Sequence, residues 1–461
     1  MAAQNQKIDM GTGNVRKLLL KMAIPTVIAQ LVSLVYNIVD RIYIGHIEGV
    51  GTLALTGVGL CTPIILLINA FASLGGAGGA PRAAIAMGQG KNGQAEKILG
   101  NCFSALMIFA VILTGVLFFA AEPLLVLFGG SENTLPYALS YLKIYVLGTV
   151  AVLVVMGMNS FLTTQGFTKF AMMSTLIGAC INIACINIAL DPIFIFKLNM
   201  GVKGAALATV ISQIVSAMWV LSFLVGKKTI LKLRPSNMKV DSKVILPCLA
   251  LGAAPFVMMM TESLLNISFN TSLAKYGGDI AVGSMTILSS VNQLVMLPLS
   301  GICQGGQPII SYNYGAGNKE RVKEAFKLQF IICLSYTIVF WAVCMLFPQM
   351  FANIFTSDTA LVEYASWALR IYGAGILLFG MQIACQQSFM ALGQAKTSLL
   401  LACLRKIILL IPLIFVLPIF FENKVFAVFL AEPVSDIIAA LVTGTVFFKN
   451  FNKILNATAK M

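Results

Sequence analysis

Asp40, Asn187, Asp191 and Thr209 supply two carboxylates, an amide and a hydroxyl from stretches that are otherwise almost wholly apolar. Such an oxygen-only set suits a small monovalent cation such as Na+, or protons where desolvation and mutual repulsion raise a carboxyl pKa. Charges in an apolar setting are costly, so carboxylates kept there are candidates for function before structure. Asn187 precedes Asp191 by four residues, which places both on one helical face, and Pro192 follows directly. A second acidic group, Glu262, Glu432 and Asp436, has Arg405, Lys406 and Arg370 as candidate partners, and a structural ion network is the competing reading there. Amides accompany both groups. Asn37, Asn159, Asn266 and Gln293, with Glu262, are the expected lining of a water-accessible substrate cavity, beside adaptable side chains such as Met258-Met259-Met260.

The chain is poorly supplied for covalent or metal-assisted chemistry, and an enzyme is not expected. His46 is its single histidine, and the ten cysteines stand singly in apolar stretches with no CxxC pair, so they read as small hydrophobes. Gly88-Gln-Gly90-Lys-Asn-Gly93 satisfies GxGxxG, but it follows an apolar helix instead of a strand, and no organic cofactor is implied. A tight turn is the simpler reading. The net charge of +14 is not interleaved with stacking aromatics on polar elements, which argues against nucleic acid.

The elements that must position these residues follow from composition. Of 461 residues, 59% are hydrophobic and only 10% charged, with mean hydropathy +0.91, and several charge-free runs reach the ~20 residues that cross a bilayer. Soluble, disordered and disulfide-scaffold classes are excluded. Apolar runs between turn and charge clusters give twelve helices: 17–44, 53–80, 96–119, 136–159, 168–190, 203–226, 243–272, 280–308, 322–347, 361–388, 396–421 and 425–448. This count places most of the 31 basic residues on the side of the termini, with only Arg41, Lys197, Lys203, Lys275 and Lys424 opposite and Lys143, Arg370, Arg405 and Lys406 within spans. By the positive-inside rule both termini are cytoplasmic in a multi-pass cell-membrane protein. The basic N-terminus runs into the first helix without a small-residue cleavage site, so no removable signal peptide is indicated.

The chain also repeats. At one constant offset Gly78-Gly79-Ala80-Pro81 meets Gly305-Gly306-Gln307-Pro308, Gly88-Gln89-Gly90 meets Gly315-Ala316-Gly317, Lys143-Ile144-Tyr145 meets Arg370-Ile371-Tyr372, and Gly166 through Lys169 meets Gly393 through Lys396. Lys143 and Arg370 thereby share a position, which favours a shared packing role. Asp40 and Asp191 have no acidic counterparts; Asp40 falls opposite Ile267, beside Asn266, and the acidic pair is peculiar to the first half. Six helices per repeat give both halves the same orientation. The expected fold is an all-α membrane protein of twelve transmembrane helices in two six-helix lobes, related by a pseudo-twofold axis along the membrane normal. Residues 1–226 and 243–461 form the lobes, and the basic stretch 227–242 is the linker.

Four stretches carry a resemblance over essentially the whole chain: VYNIVDRIYIGHIEGVGTLALTGVG, Asn187 through Asp191-Pro-Ile-Phe-Ile-Phe, Gly201-Val-Lys-Gly-Ala-Ala-Leu-Ala-Thr209, and QPIISYNYGAGNKERV. They resemble the multidrug and toxic compound extrusion (MATE) family. That resemblance implies a cation-coupled antiporter that exports lipophilic organic cations against Na+ or H+ by alternating access, a role in antibiotic resistance, and a monomer. It assigns the first-lobe cation site to Asp40, Asn187, Asp191 and Thr209. Some members pair a glutamate in the seventh helix with an aspartate in the tenth; Glu262 matches the first, but Cys385-Gln386-Gln387 offers no acid for the second, which favours first-lobe coupling. The rival is a flippase for a lipid-linked saccharide on the same scaffold, which needs cavity cations for pyrophosphate where the first lobe here carries acids.

Overall fold

The computed structural model describes residues 9–45, 51–180, 202–356 and 358–457, with side chains described except at 36–45, 51–52, 178–180 and 279. Every regular element among them is helical. The first half holds α1 (Val15–Gly45), α2 (Gly51–Gly88), α3 (Asn92–Leu127), α4 (Leu135–Leu147 and Thr149–Thr164, bent by 57°), α5 (Thr168–Cys180) and α6 (Val202–Val225). The second holds α7 (Ser242–Gly278), α8 (Ile280–Gly315), α9 (Lys319–Leu346), α10 (Thr359–Ala391), α11 (Ala395–Phe420) and α12 (Lys424–Asn456). A short helix, Pro348–Phe355, joins α9 to α10. Eleven described helices, counting the bent pair as one, are long and apolar enough to span a membrane. Only the start of the fifth expected span is described, as α5.

The helices overrun the expected ends at the repeated glycine turns. α2 continues through Pro81 to Gly88 and α8 through Pro308 to Gly315, so these prolines lie inside helices without ending them. A proline removes one backbone bond, and neighbouring helices and small residues make that tolerable in a membrane. The turns fall at Gly90 (φ 76°) and Gly317 (φ 73°), with Gly166 (φ 85°) and Gly393 (φ 72°) as a second equivalent pair. Only glycine enters this left-handed region cheaply, which explains the dipeptide spacing that imitated a nucleotide motif.

The two halves meet along α1 and α2 on one side and α7 and α8 on the other, and the contact is made where backbones can approach. A Cβ on Gly301 would lie 2.7 Å from Val27 Cα, and one on Gly78 2.6 Å from Gly252 N. Thr26 donates to Gly301 O at 2.6 Å, and Gln30 Nε2 to Gln304 Oε1 at 3.3 Å. Phe71 and Phe256 close this layer edge to face at 5.2 Å. All of these lie in the half of each helix nearer the chain ends. At that end Arg321 reaches the carbonyls of Gly13 (2.7 Å), Thr12 (3.1 Å) and Met10 (3.2 Å), while Tyr314 Oη donates to Ile454 O at 3.4 Å. Both ends of the described chain therefore gather at the α8–α9 turn. In the far halves of the same helices Leu31, Val35, Leu264, Asn266, Ile267 and Gln293 are exposed.

The linker is held along its length. Gln165 Oε1 accepts from Thr229 Oγ1 (2.7 Å), Ile230 N (2.9 Å) and Leu231 N (2.8 Å); Ser104 donates to Met238 O at 2.6 Å; and Lys97 pairs with Asp241 at 2.7 Å. Its 3-10 turn at Pro235–Asn237 packs over Gly100 of α3. The linker is thus a strap fixed to the first six helices, because its backbone donors find buried amide acceptors there.

Candidate functional site

The candidate acids fall into two groups, one in each half of the chain. α1 carries the backbone through Asp40 and Asn37, whose side chains lie outside the described residues, as do Asn187, Asp191 and His46 altogether. Thr209 is described: it sits in the first half of α6, 4% exposed, with its hydroxyl on Ala205 O at 3.1 Å. A polar seam also joins α4, α5 and α6. Asn159 Oδ1 of α4 accepts from Ser174 Oγ of α5 at 2.9 Å, and Ser216 Oγ of α6 donates to Ser174 O at 3.1 Å. Hydroxyls and amides that satisfy one another this way join helices whose apolar faces are no more sticky to each other than to lipid.

The second group is fully described. α11 opens into a π-helical turn over Leu404–Leu410, which brings the adjacent cations Arg405 and Lys406 inward together. Arg405 Nε donates to Asp436 Oδ1 at 2.7 Å, its Nη2 lies 3.4 Å from Glu432 Oε1, and its guanidinium stacks over Phe379 at 4.5 Å. Glu432 and Asp436, one turn apart on α12, both face Arg405. Gly375 makes room for them, since a Cβ there would stand 2.9 Å from Asp436 Cβ. Lys406 bonds the Glu262 carboxylate of α7 and also donates to Met258 O at 3.1 Å. Arg370, considered as a third cation for these acids, does not join them: it is exposed and lines a surface recess of about 620 Å³ with Glu363 and Trp367. Its repeat partner Lys143 instead lies over the Phe118 ring at 5.7 Å.

Of the remaining cavity residues, Asn266 and Gln293 are exposed in the far halves of α7 and α8, and Asn159 is half-buried within the first six helices. The described cysteines are unpaired, seven of the eight buried and Cys403 half-buried.

Comparison with known proteins decides what this arrangement belongs to. The MatE family profile matches twice, over residues 25–188 and 255–416, once in each repeat. The chain belongs to the MatE family. Among relatives of this MatE chain, the multidrug export protein MepA of Staphylococcus saprophyticus subsp. saprophyticus is 26% identical over 435 residues, covering 93% of each chain. MepA of Staphylococcus aureus is 25% identical, covering 92% of this chain and 93% of its own. The solved structure of the MATE multidrug transporter DinF-BH is 32% identical with TM-score 0.88, covering 97% of this chain and 99% of its own. A MATE crystal structure in a bent conformation superposes with TM-score 0.89 at 22% identity, covering 97% and 98%. The MatE chain is a multi-pass transporter of twelve helices in two lobes, and not an enzyme.

Three features of the site were not singled out from sequence. The strap anchors Gln165 and Asn101, whose Oδ1 accepts from Asp241 N at 2.6 Å, look like ordinary membrane amides until the linker is seen above them. Arg321 read only as a topogenic charge. The glycine contacts between lobes left a trace, since Gly88 and Gly315 stand in the repeat, but the repeat alone does not say that the two copies touch.

Proposed function

We propose that this MatE protein exports lipophilic organic cations in exchange for Na+ or H+, by rocking two lobes, residues 1–226 and 243–461, about the strap at 227–242. The observation that carries the reading is the one-sided contact between lobes: tight glycine-mediated packing near the chain ends, and exposed apolar and amide side chains in the far halves of the same helices. With the termini cytoplasmic, as the distribution of Lys and Arg argues, this is a state closed inward and open outward. MepA and DinF-BH, named for multidrug export and transport, support the substrate class.

Asp40, Asn187, Asp191 and Thr209 form the proposed coupling site, with Asn37, Asn159, Glu262, Asn266 and Gln293 as candidate substrate contacts. No organic cofactor enters the cycle, and each protein is proposed to work as a monomer in the cell membrane. A cation that neutralises Asp40 and Asp191 biases the lobes only through its differential affinity for the two arrangements. Lipid-linked saccharide flipping is less favoured, because both buried cations of the second lobe are already held by carboxylates and offer nothing to a pyrophosphate. The test is efflux of a fluorescent monovalent cation from proteoliposomes under an imposed Na+ or pH gradient. Gradient-driven export by the wild type, lost in Asp40→Asn, is expected; export indifferent to both gradients overturns cation coupling.

A further inference from the structure

The second lobe holds two cations, Arg405 and Lys406, against three carboxylates, Glu262, Glu432 and Asp436. The cluster is one positive charge short. Inside a membrane an uncompensated charge is expensive, so this formal shortfall must be met by a proton on one of the acids or by a further cation. Exposure says where it enters. The side chains of Arg405, Lys406, Glu432 and Asp436 are 4–7% exposed, whereas that of Glu262 is 46% exposed. Glu262 is also six residues beyond Phe256, whose ring contact with Phe71 closes the layer between lobes, so it stands on the open side of that layer.

We propose that Lys406 is the resident counter-ion of a substrate site at Glu262, where an incoming organic monovalent cation replaces the lysine ammonium on the carboxylate. This rests on the reading of the protein as an exporter of organic cations. Lys406 has somewhere to go: its ammonium keeps the Met258 carbonyl at 3.1 Å, and Glu432, only 3.4 Å from Arg405 and less closely held than Asp436, is the remaining carboxylate of the cluster. The surroundings are polarisable. Gln386 Nε2 contacts Met258 Sδ at 3.4 Å, and Gln382, whose amide bonds Gln386, keeps a fully buried Oε1 with no partner.

The tethered ammonium also makes the site selective. The tethered ammonium is always beside the carboxylate, at an effective concentration of order mM or above, so an entering cation must gain more than the single ion pair to displace it. A small hydrated ion such as Na+ gains little else here. A lipophilic cation adds apolar contact with methionine and aromatic side chains, and so displaces the lysine where Na+ does not. Lys406 is thus a specificity-determining residue, which bars inorganic ions from the second lobe and leaves coupling to the first.

The experiment is equilibrium binding of tetraphenylphosphonium to the purified full-length protein and to Lys406→Met, Lys406→Arg, Glu262→Gln and the double variant Lys406→Met/Glu262→Gln. Lys406→Met is expected to bind at least about tenfold more tightly, as removal of a close competing charge implies, Lys406→Arg to stay near wild type, and Glu262→Gln to weaken about tenfold. Because Lys406→Met leaves three carboxylates facing one cation, the double variant, with the charge sum of the wild type, is the arm expected to fold in any case. It should show the loss of Glu262→Gln and none of the gain. Unchanged or weaker binding by folded Lys406→Met, or wild-type affinity in the double variant, overturns the proposal while leaving the exporter reading intact. No binding by the wild type refutes the exporter reading itself, and the inference with it.

Discussion

Gly88 of α2 and Gly315 of α8 occupy the same position in the two repeats, and each lies against the other's helix: a Cβ on Gly88 would stand 2.8 Å from Ala316 N, and one on Gly315 2.8 Å from Ile85 Cα. The contact is reciprocal, since the clash of Gly88 with Tyr312 mirrors that of Gly315 with Ile85 and Tyr312 is the repeat counterpart of Ile85. The pseudo-twofold axis therefore passes between these glycines, at the end of the molecule where the first and last described residues gather.

Any side chain at this point must push the lobes apart where they are closest. Gly315→Val is expected to lower stability by about 1–3 kcal/mol, the usual cost of overpacking, and to raise the thiol-labelling rate of a cysteine placed at Ile85. An unaltered melting temperature together with unaltered labelling would show that the glycine contact does not hold the lobes closed.

Coupling through the first lobe implies reciprocity. Raising Na+, or lowering pH if protons are used, should weaken binding of an organic cation, and that ligand should weaken cation binding by the same factor. Asp40→Asn combined with Asp191→Asn should erase both effects together. If isothermal titration of the double variant still registers the wild-type dependence on Na+ and pH, the coupling site lies elsewhere.

Arg405 is the keystone of the buried network, since both α12 acids converge on it. Arg405→Met leaves those acids without their partner and is expected to cost about 3–5 kcal/mol, as broken buried ion pairs do. Asp436→Asn should cost less, because Glu432 remains to face the guanidinium. Thermal unfolding in detergent ranks the two; equal losses would mean that the pairs do not act as one network.

Asp241 caps α7 through Lys243 N at 3.0 Å and pairs with Lys97, and its carboxyl is lowered below the usual value chiefly by the Lys97 hydrogen bond, then by the backbone bond from Lys243. A depressed folded pKa gives a contribution present above the unfolded pKa and lost as pH falls through the folded one. The strap should thus stay docked at neutral pH and loosen only as pH falls below the ordinary aspartate range. Hydrogen exchange at 229–241 reads this directly, and Asp241→Asn should bring the loosening to neutral pH. Equal protection in variant and wild type at pH 7 would remove the ion pair from the account of the strap.

Much of the architecture was legible before any coordinates. Apolar runs long enough to cross a bilayer fix helix number, because each must satisfy its backbone internally. The glycine turn read at Gly88–Gly93 and at its repeat partner falls at Gly90 and Gly317, because only glycine takes a positive φ without cost, whereas the turns at Gly166 and Gly393 emerged only from the structure. The pairing of Arg405 and Lys406 with Glu262, Glu432 and Asp436 was foreseen as one reading among others, since buried charges of opposite sign seek each other. Helix ends at Pro81 and Pro308 were placed too early, as proline in a membrane helix marks a bend as readily as a stop.

What the sequence by itself determined is therefore local or periodic: membrane class, span count, repeat, turns and the short list of intramembrane acids, each a property of one stretch and its own hydration. Only the tertiary structure decided which residues of distant stretches meet. Equivalent glycines touch across an axis, Arg370 stays out of the ion network that Arg405 enters, the strap lies on Gln165, and Lys406 takes the carboxylate that a substrate was expected to take. Those outcomes depend on the rotation and depth at which twelve helices pack, and many arrangements satisfy the same hydrophobic pattern because lipid and helix faces are equally apolar.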